Sequence, residues 1–371
     1  MPKLQKYVIN KLLFENTPEL VRNQCLNSLQ SKYPCTLCQE VCPSGAIVDG
    51  TLDPAVCIGC NSCVAVCPSQ CLRPSKKFMA HMLEVLEQDK DHWVISCERQ
   101  DYPADLKLSC LGSLPWEIMA LLSLQGELSP IQKDCAKCPR KEHLHQWELS
   151  VEKLRAFWGE DTFAEKIHVC SEDTPVPHQT LSRREAFTFL LTKFKNKTMS
   201  SLVLDDKSLD PDGSVYRQIL VYRLLQLQNS SDPLASSWIF PTFTSTCTAC
   251  GICVKICPRQ ALHRLEAAEH QPGTKTWYMA VVPWRCTNCG LCQRVCPRNG
   301  LGDCTYKRTQ DPSRPSVTTI TAPFCRRCGE PMPGETGPVL GETGPVFGET
   351  DDICMFCKAE DIDHTKFFFD S

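Results

Sequence analysis

The sequence lacks any apolar run approaching 18 residues, so no segment of it reads as a membrane span. No G-x-G-x-x-G follows a predicted strand, and no G-x-x-x-x-G-K-S/T is present, which removes the two common phosphate-cradling loops and the nucleotide and flavin enzymes built on them. No nucleophile triad or paired acid–base set stands out. Charge of one sign is also missing: 40 Lys and Arg face 43 Asp and Glu, a net charge of −3. That balance argues neither for nor against nucleic acid, and none is expected as a partner. The N-terminal stretch MPKLQKYVINKLLFENTPELVRNQC has no apolar run of seven and no twin arginine. It is expected to be neither a secretory nor a Tat signal, and the protein to be cytoplasmic.

What the sequence has in excess is cysteine, 27 in 371 residues, mostly in tight C-x-x-C groups. A secreted disulfide scaffold is usually far shorter and spaces its cysteines more widely; in a reducing compartment such thiols imply metal. Five regions separate by composition. Residues 1–75 hold nine cysteines, 76–170 alternate helix and strand, and 171–240 hold none and read as a helical connector. Residues 241–304 hold nine again, and the 305–371 tail is rich in Pro, Gly and Thr and ends in two C-x-x-C pairs.

Two motifs in 241–304 are complete: CTACGICVKICP (247–258) and CTNCGLCQRVCP (286–297). C-x2-C-x2-C-x3-C-P is the bacterial ferredoxin pattern. Three cysteines on one short loop reach three corners of a cubane, and the loop's N–H groups can point at cluster sulfur. The fourth, before proline, is carried to the other cluster. One 4Fe-4S site is therefore expected from Cys247, Cys250, Cys253 and Cys296, and another from Cys286, Cys289, Cys292 and Cys257. Structural zinc fits three cysteines at consecutive x2 spacing poorly. The segment between the motifs reads as a β-hairpin turning at 271–274.

In 1–75 the motif CIGCNSCVAVCP is complete, so Cys57, Cys60 and Cys63 pair with Cys42. The remaining site has Cys35, Cys38 and Cys67 but lacks one ligand, since Lys32 stands where the first cysteine would be. Cys25 lies upstream, and a longer loop closes at little extra entropic cost, so Cys25 is expected as fourth ligand. A three-cysteine 3Fe-4S site is the alternative. The long first spacing is similar to that of a known ferredoxin variant. Both cysteine-dense regions resemble two-4Fe-4S bacterial-type ferredoxin domains, a resemblance that implies two β-hairpins, short helices and paired clusters.

The middle region reads strand–Cys97, strand–Cys110, helix from Pro115 to Leu124, a stop at Gly126, strand, then Cys135 and Cys138. Open α/β sheets place ligands beyond the carboxyl ends of their strands. The pattern resembles the δ-subunit domain of methyl-viologen- and F420-reducing hydrogenases, which implies a 2Fe-2S cluster passing electrons between enzyme modules. It departs from that family at the single Cys97 and in its tighter last pair. Zinc and inert thiols are the other readings. His143 and His145 are expected to be solvated residues opening the next helix. A capping box at Ser182–Glu185 and a helix over 215–227 are expected in the cysteine-free stretch, without chemistry of their own.

In the tail, Cys325, Cys328, Cys354 and Cys357 form two C-x2-C pairs whose spacing is lengthened by the tandem repeat GETGPVL, GETGPVF. Zinc on four thiolates is expected, as in a ribbon-like knuckle, with a rubredoxin-like single iron as the alternative. Cys71, Cys170 and Cys304 are left over. The fold class expected is α+β multidomain: two ferredoxin-like domains, a small α/β middle domain and a C-terminal zinc-ribbon-like knuckle. The function expected is electron relay by a non-catalytic subunit, between redox partner proteins or to the catalytic subunit of an anaerobic oxidoreductase. A redox enzyme acting at the middle cysteines and a cluster-based sensor are the alternatives.

Overall fold

The computed structural model describes residues 16–29, 34–88, 90–172, 214–227, 235–271, 274–331 and Cys357. The chain divides into two units: residues 1–238 with 306–312, and residues 239–305 with 313–371. Both mix helices with small sheets of two or three strands. The helix expected after Ser182 and the tandem repeat lie outside the described residues.

The first unit opens with the short pairs Glu19–Leu20 with Leu72–Arg73 and Ile47–Val48 with Thr51–Leu52, both antiparallel. Helix α1 (Lys76–Leu86) follows, its first turn capped by Ser75 Oγ, which accepts from Phe78 N at 3.2 Å. Its face Met82, Leu83, Val85 and Leu86 is buried.

The next element is a parallel sheet of β1 (His92–Cys97), β2 (Leu106–Leu108) and β3 (Glu127–Pro130), in the order β2-β1-β3. The central strand is covered on both faces, so Trp93, Val94 and Ile95 are all buried, as a continuous apolar run in a parallel sheet requires. Helix α2 (Trp116–Ser123) links β2 to β3; Pro115 precedes it, and all eight of its residues are buried. Gly126 ends the turn because a Cβ there would lie 2.4 Å from the Asp91 backbone. Helix α3 (Glu142–Trp158) packs against α2 and the turn Leu111–Ser113. Its buried indoles are satisfied: Trp147 Nε1 donates to Gln132 Oε1 at 2.8 Å and Trp158 Nε1 to Ser123 Oγ at 2.9 Å.

Helix α4 (Val215–Leu227) packs Ile219, Leu220, Val221 and Leu224 inward. It also carries a buried charge. Arg217 Nε donates to Glu117 Oε1 of α2 at 3.0 Å, with the two side chains 4% and 1% exposed. Gln70 Nε2 donates to the same oxygen at 2.7 Å, and the guanidinium lies over Trp116 and Trp238.

In the second unit, β4 (Leu262–Gln271) and β5 (Thr274–Val281) form the hairpin expected between the two motifs, and β6 (Ser316–Pro323) adds antiparallel to β5. Trp277 and Met279 point into its core.

Candidate metal centres

The hairpin of the second unit holds two cysteine loops at its base. In each loop two residues take left-handed φ, one just before and one just after the second cysteine: Ala249 and Gly251, Asn288 and Gly290. That path curls the backbone around its own sulfurs. Cys247, Cys250, Cys253 and Cys296 line one open-mouthed pocket of about 350 Å³ with Phe243, Met279 and Leu301. Burial, then the charges of Cys247, Cys250 and Cys296, push the Cys253 thiol up to about 12. Crowded thiolates of this kind need a cation to hold their charge. Around Cys292 the same crowding comes from Cys286, Cys289 and Cys257, with Cys304 close by. The backbone donates to sulfur throughout: Ala249 N to Cys247 Sγ at 3.4 Å, Ala261 N to Cys257 Sγ at 3.2 Å, and Gly300 N to Cys296 Sγ at 3.1 Å.

The first unit repeats this geometry. Gly59 and Asn61 take the two left-handed positions, and Gly59 N donates to Cys57 Sγ at 3.4 Å. Cys60, Cys57, Cys38 and Cys42 all lie within electrostatic reach of the buried Cys63. Ala46 N donates to Cys42 Sγ at 3.2 Å. All four C-P turns share one device, a left-handed residue three places after the cysteine: Gly45, Gln70, Gln260 and Asn299.

The incomplete motif is built differently. Cys35 precedes a helical turn, Leu37–Glu40, and Cys38 lies within it, with no left-handed residue. They line a pocket of about 490 Å³ with Cys25, Cys67 and also Cys71. Cys25 thus lies where the fourth ligand is expected. Cys71, left spare by motif spacing, lies between two of the others. Its Sγ is 3.5 Å from Cys67 Sγ, and it hydrogen-bonds Cys25 as well. Those hydrogen bonds lower Cys25 to about 5 and Cys67 to about 6, while raising Cys71 itself.

In the middle domain, Cys97 ends β1, Cys110 follows β2, and Cys135 and Cys138 follow β3. Burial and the charges of Cys97, Cys110 and Cys138 push Cys135 up to about 11, and Cys97 and Cys138 also lie within electrostatic reach of Cys110, at the carboxyl ends of the strands. Arg140 N donates to Cys138 Sγ at 3.5 Å and the Gly112 amide bonds Cys110. This is the two-residue N–H···S contact of the ferredoxin loops. His143 differs from expectation: it opens α3, but it is 2% exposed and donates from Nε2 to the Val41 carbonyl at 3.0 Å. His145 is exposed. Two residues apart on a helix, the pair cannot share a face, and that spacing was the available signal.

In the tail, Cys325, Cys328 and Cys357 bring their sulfurs within 4.8 Å of one another; Cys354 lies outside the described residues. Gly329, at φ +74°, turns the knuckle so that Gly329 N donates to the Cys325 carbonyl and Cys325 N to the Glu330 carbonyl. Glu330 is held by both Arg264 guanidinium nitrogens, at 2.8 and 3.2 Å. Among the described residues, no other three Cys, His, Asp or Glu side chains come as close together.

Among the described residues, no helix is long and apolar enough to cross a membrane. No curated protein and no solved structure matches the chain. Residues 246–299 match the 4Fe-4S dicluster domain family, and residues 51–73 match the 4Fe-4S binding domain family. Neither match reaches the middle domain. The two segments are 4Fe-4S ferredoxin-type domains, and they give the chain an iron–sulfur electron-transfer role.

Proposed function

We propose that this chain is a cytoplasmic relay subunit, carrying single electrons between a redox partner protein and the catalytic subunit of an anaerobic oxidoreductase. Four 4Fe-4S clusters are held by Cys247, Cys250, Cys253 and Cys296; by Cys286, Cys289, Cys292 and Cys257; by Cys57, Cys60, Cys63 and Cys42; and by Cys25, Cys35, Cys38 and Cys67. The observation that carries this reading is the lining of one pocket by Cys247, Cys250, Cys253 and the distant Cys296, the crossing that the paired motifs require. The repeated N–H···S contacts favour the charged thiolates that a cluster needs.

A 2Fe-2S cluster on Cys97, Cys110, Cys135 and Cys138 is the reading best supported for the middle domain, in keeping with its resemblance to the hydrogenase δ-subunit domain. Zinc on Cys325, Cys328, Cys354 and Cys357 is the reading for the tail. Each set uses four ligands and leaves no position for a substrate, which favours transfer over catalysis. The cofactors supply the one-electron chemistry; the chain sets potential through burial and hydrogen bonds to sulfur.

Anaerobic purification with iron, sulfide and zinc analysis and EPR tests the reading. About 18 iron atoms and one zinc are expected, from four cubanes plus two irons. About 16 would remove the middle cluster, and about 15 would favour three irons at the Cys25 site. Colourless protein carrying only zinc would end the proposal.

A further inference from the structure

The middle cysteines do not stand apart from the N-terminal ferredoxin loops. Ser109, next to Cys110, donates from Oγ to the carbonyl of Cys60 at 3.1 Å. Arg140, two residues after Cys138, donates to the Ser109 carbonyl at 3.2 Å and holds that loop in place. Three further contacts fasten α3 to the same site. His143 Nε2 donates to the carbonyl of Val41, the neighbour of Cys42. Its Nδ1 faces Ser62 Oγ, beside Cys63, at 3.5 Å. Gln146 Nε2 donates to the Ala65 carbonyl, on the helix Ser62–Val66 that carries Cys63, at 3.1 Å. The approach is tight: a Cβ on Gly112 would lie 2.6 Å from the His143 carbonyl oxygen.

All of these contacts reach the loops carrying Cys42, Cys57, Cys60 and Cys63. The Cys25, Cys35, Cys38 and Cys67 site touches that same set from another side, since the turn Leu37–Glu40, which carries Cys38, packs against the helix Ser62–Val66, which carries Cys63.

We propose that the three cysteine sites of the first unit form a line, with the Cys42/Cys57/Cys60/Cys63 site at its centre and the Cys97/Cys110/Cys135/Cys138 site as its direct electron partner across the Cys60–Ser109 hydrogen bond. The inference rests on both sites holding clusters, as proposed above. In the step itself one reduced cluster loses one electron and the neighbouring oxidised cluster gains it. No bond forms or breaks, and the external redox protein supplies or removes the electron at the ends of the line. Ser109, Arg140 and His143 act as positioning residues: they fix the two ligand loops against each other and bind no substrate.

The full chain, prepared anaerobically, tests this by EPR. As the middle centre is reduced in a redox titration, the signal of the central cubane should broaden and relax faster through spin–spin coupling. The double variant Cys135→Ser/Cys138→Ser should lose about two irons and that broadening together. The variant Glu148→Gln, at an exposed position of α3, should keep both. If the double variant keeps its full iron content, the middle site holds no cluster, and the line falls with that reading. If iron is lost but the cubane signal is the same with and without the middle centre, the cluster stands and the line is overturned. The titration of the unmodified chain decides the matter even where the variant fails to fold: an unbroadened cubane signal beside a reduced middle centre overturns the proposal.

Discussion

Replacing Arg217 by methionine should loosen α4 far more than the loss of one contact suggests. Methionine keeps most of the length that lies over Trp116 and Trp238, so the apolar packing is largely retained. What is lost is the partner of Glu117, a carboxylate only 1% exposed. Gln70 still donates to its Oε1, but a neutral donor does not balance the charge. Breaking a buried pair from one side costs about 3–5 kcal/mol, most of it the stranded charge. Lys153, a further cation within electrostatic reach of Glu117, places the loss toward the lower end. Native-state hydrogen exchange of Val215–Leu227 in the holo chain reads this locally and avoids irreversible cluster loss. Exchange should accelerate by roughly 150- to 4,000-fold. Adding Glu117→Gln removes the stranded charge and should recover most of the protection. Exchange within about tenfold of the parent for the single variant would refute the account; so would a double variant as fast as the single.

Four other outcomes are expected. Cys25→Ala should lower iron by about one atom and give the EPR signal of a three-iron cluster in the oxidised protein; an unchanged iron count would assign the fourth corner to another thiol. Cys71→Ala should keep the iron but make that cluster harder to reduce, because the S–H donor to Cys67 stabilises the more negative state; spectropotentiometry reads the direction. Gly112→Ala should cost about 1–3 kcal/mol, read by thermal unfolding, because a methyl group has no room against the His143 carbonyl. Arg264→Leu should weaken the tail knuckle by less than about 1 kcal/mol, since Glu330 is more than half exposed. Arg264 holds the Glu330 carboxyl below its usual range. That contribution is therefore complete above the ordinary carboxylate range and lost as pH falls through the depressed value, so hydrogen exchange of parent and variant should converge in acid.

The local structure of this chain is legible in its sequence because short-range chemistry dictates it. HWVISC forms a strand where β-branched and aromatic residues concentrate, LKL forms one by apolar–polar alternation, Pro115 opens a helix, and the segment between the two complete motifs folds into a hairpin. Partners are not legible at that range. Helical periodicity shows that α3 has an inward face, but not that His143 meets Val41, 102 residues earlier, or that Arg217 meets Glu117, 100 residues earlier. Cys71 is the instructive miss. The place four residues after each C-P cysteine holds Ala46, Ala261 and Gly300 in the other turns, each donating its N–H to sulfur. Cys71 occupies the corresponding place after Cys67, so aligning the four turns would have marked it as a neighbour of the site rather than a spare.

The spacing of sulfurs separates the two kinds of centre more sharply than their sequence motifs do. One tetrahedral zinc with Zn–S bonds of about 2.3 Å holds its thiolates about 3.8 Å apart. The three tail sulfurs, all within 4.8 Å, can close on such an ion with small movements. No three of Cys97, Cys110, Cys135 and Cys138 approach that closely, although Cys97, Cys110 and Cys138 are all within electrostatic reach of Cys135. Bridging a wider set takes more than one metal atom, and sulfide between the metals supplies the reach. On the proposed reading, the same C-x-x-C spacing serves a single ion at Cys325 and Cys328 and a polynuclear cluster at Cys135 and Cys138. The difference comes from the strand ends that bring Cys97 and Cys110 to the second pair, a tertiary arrangement that the spacing of either pair alone does not carry.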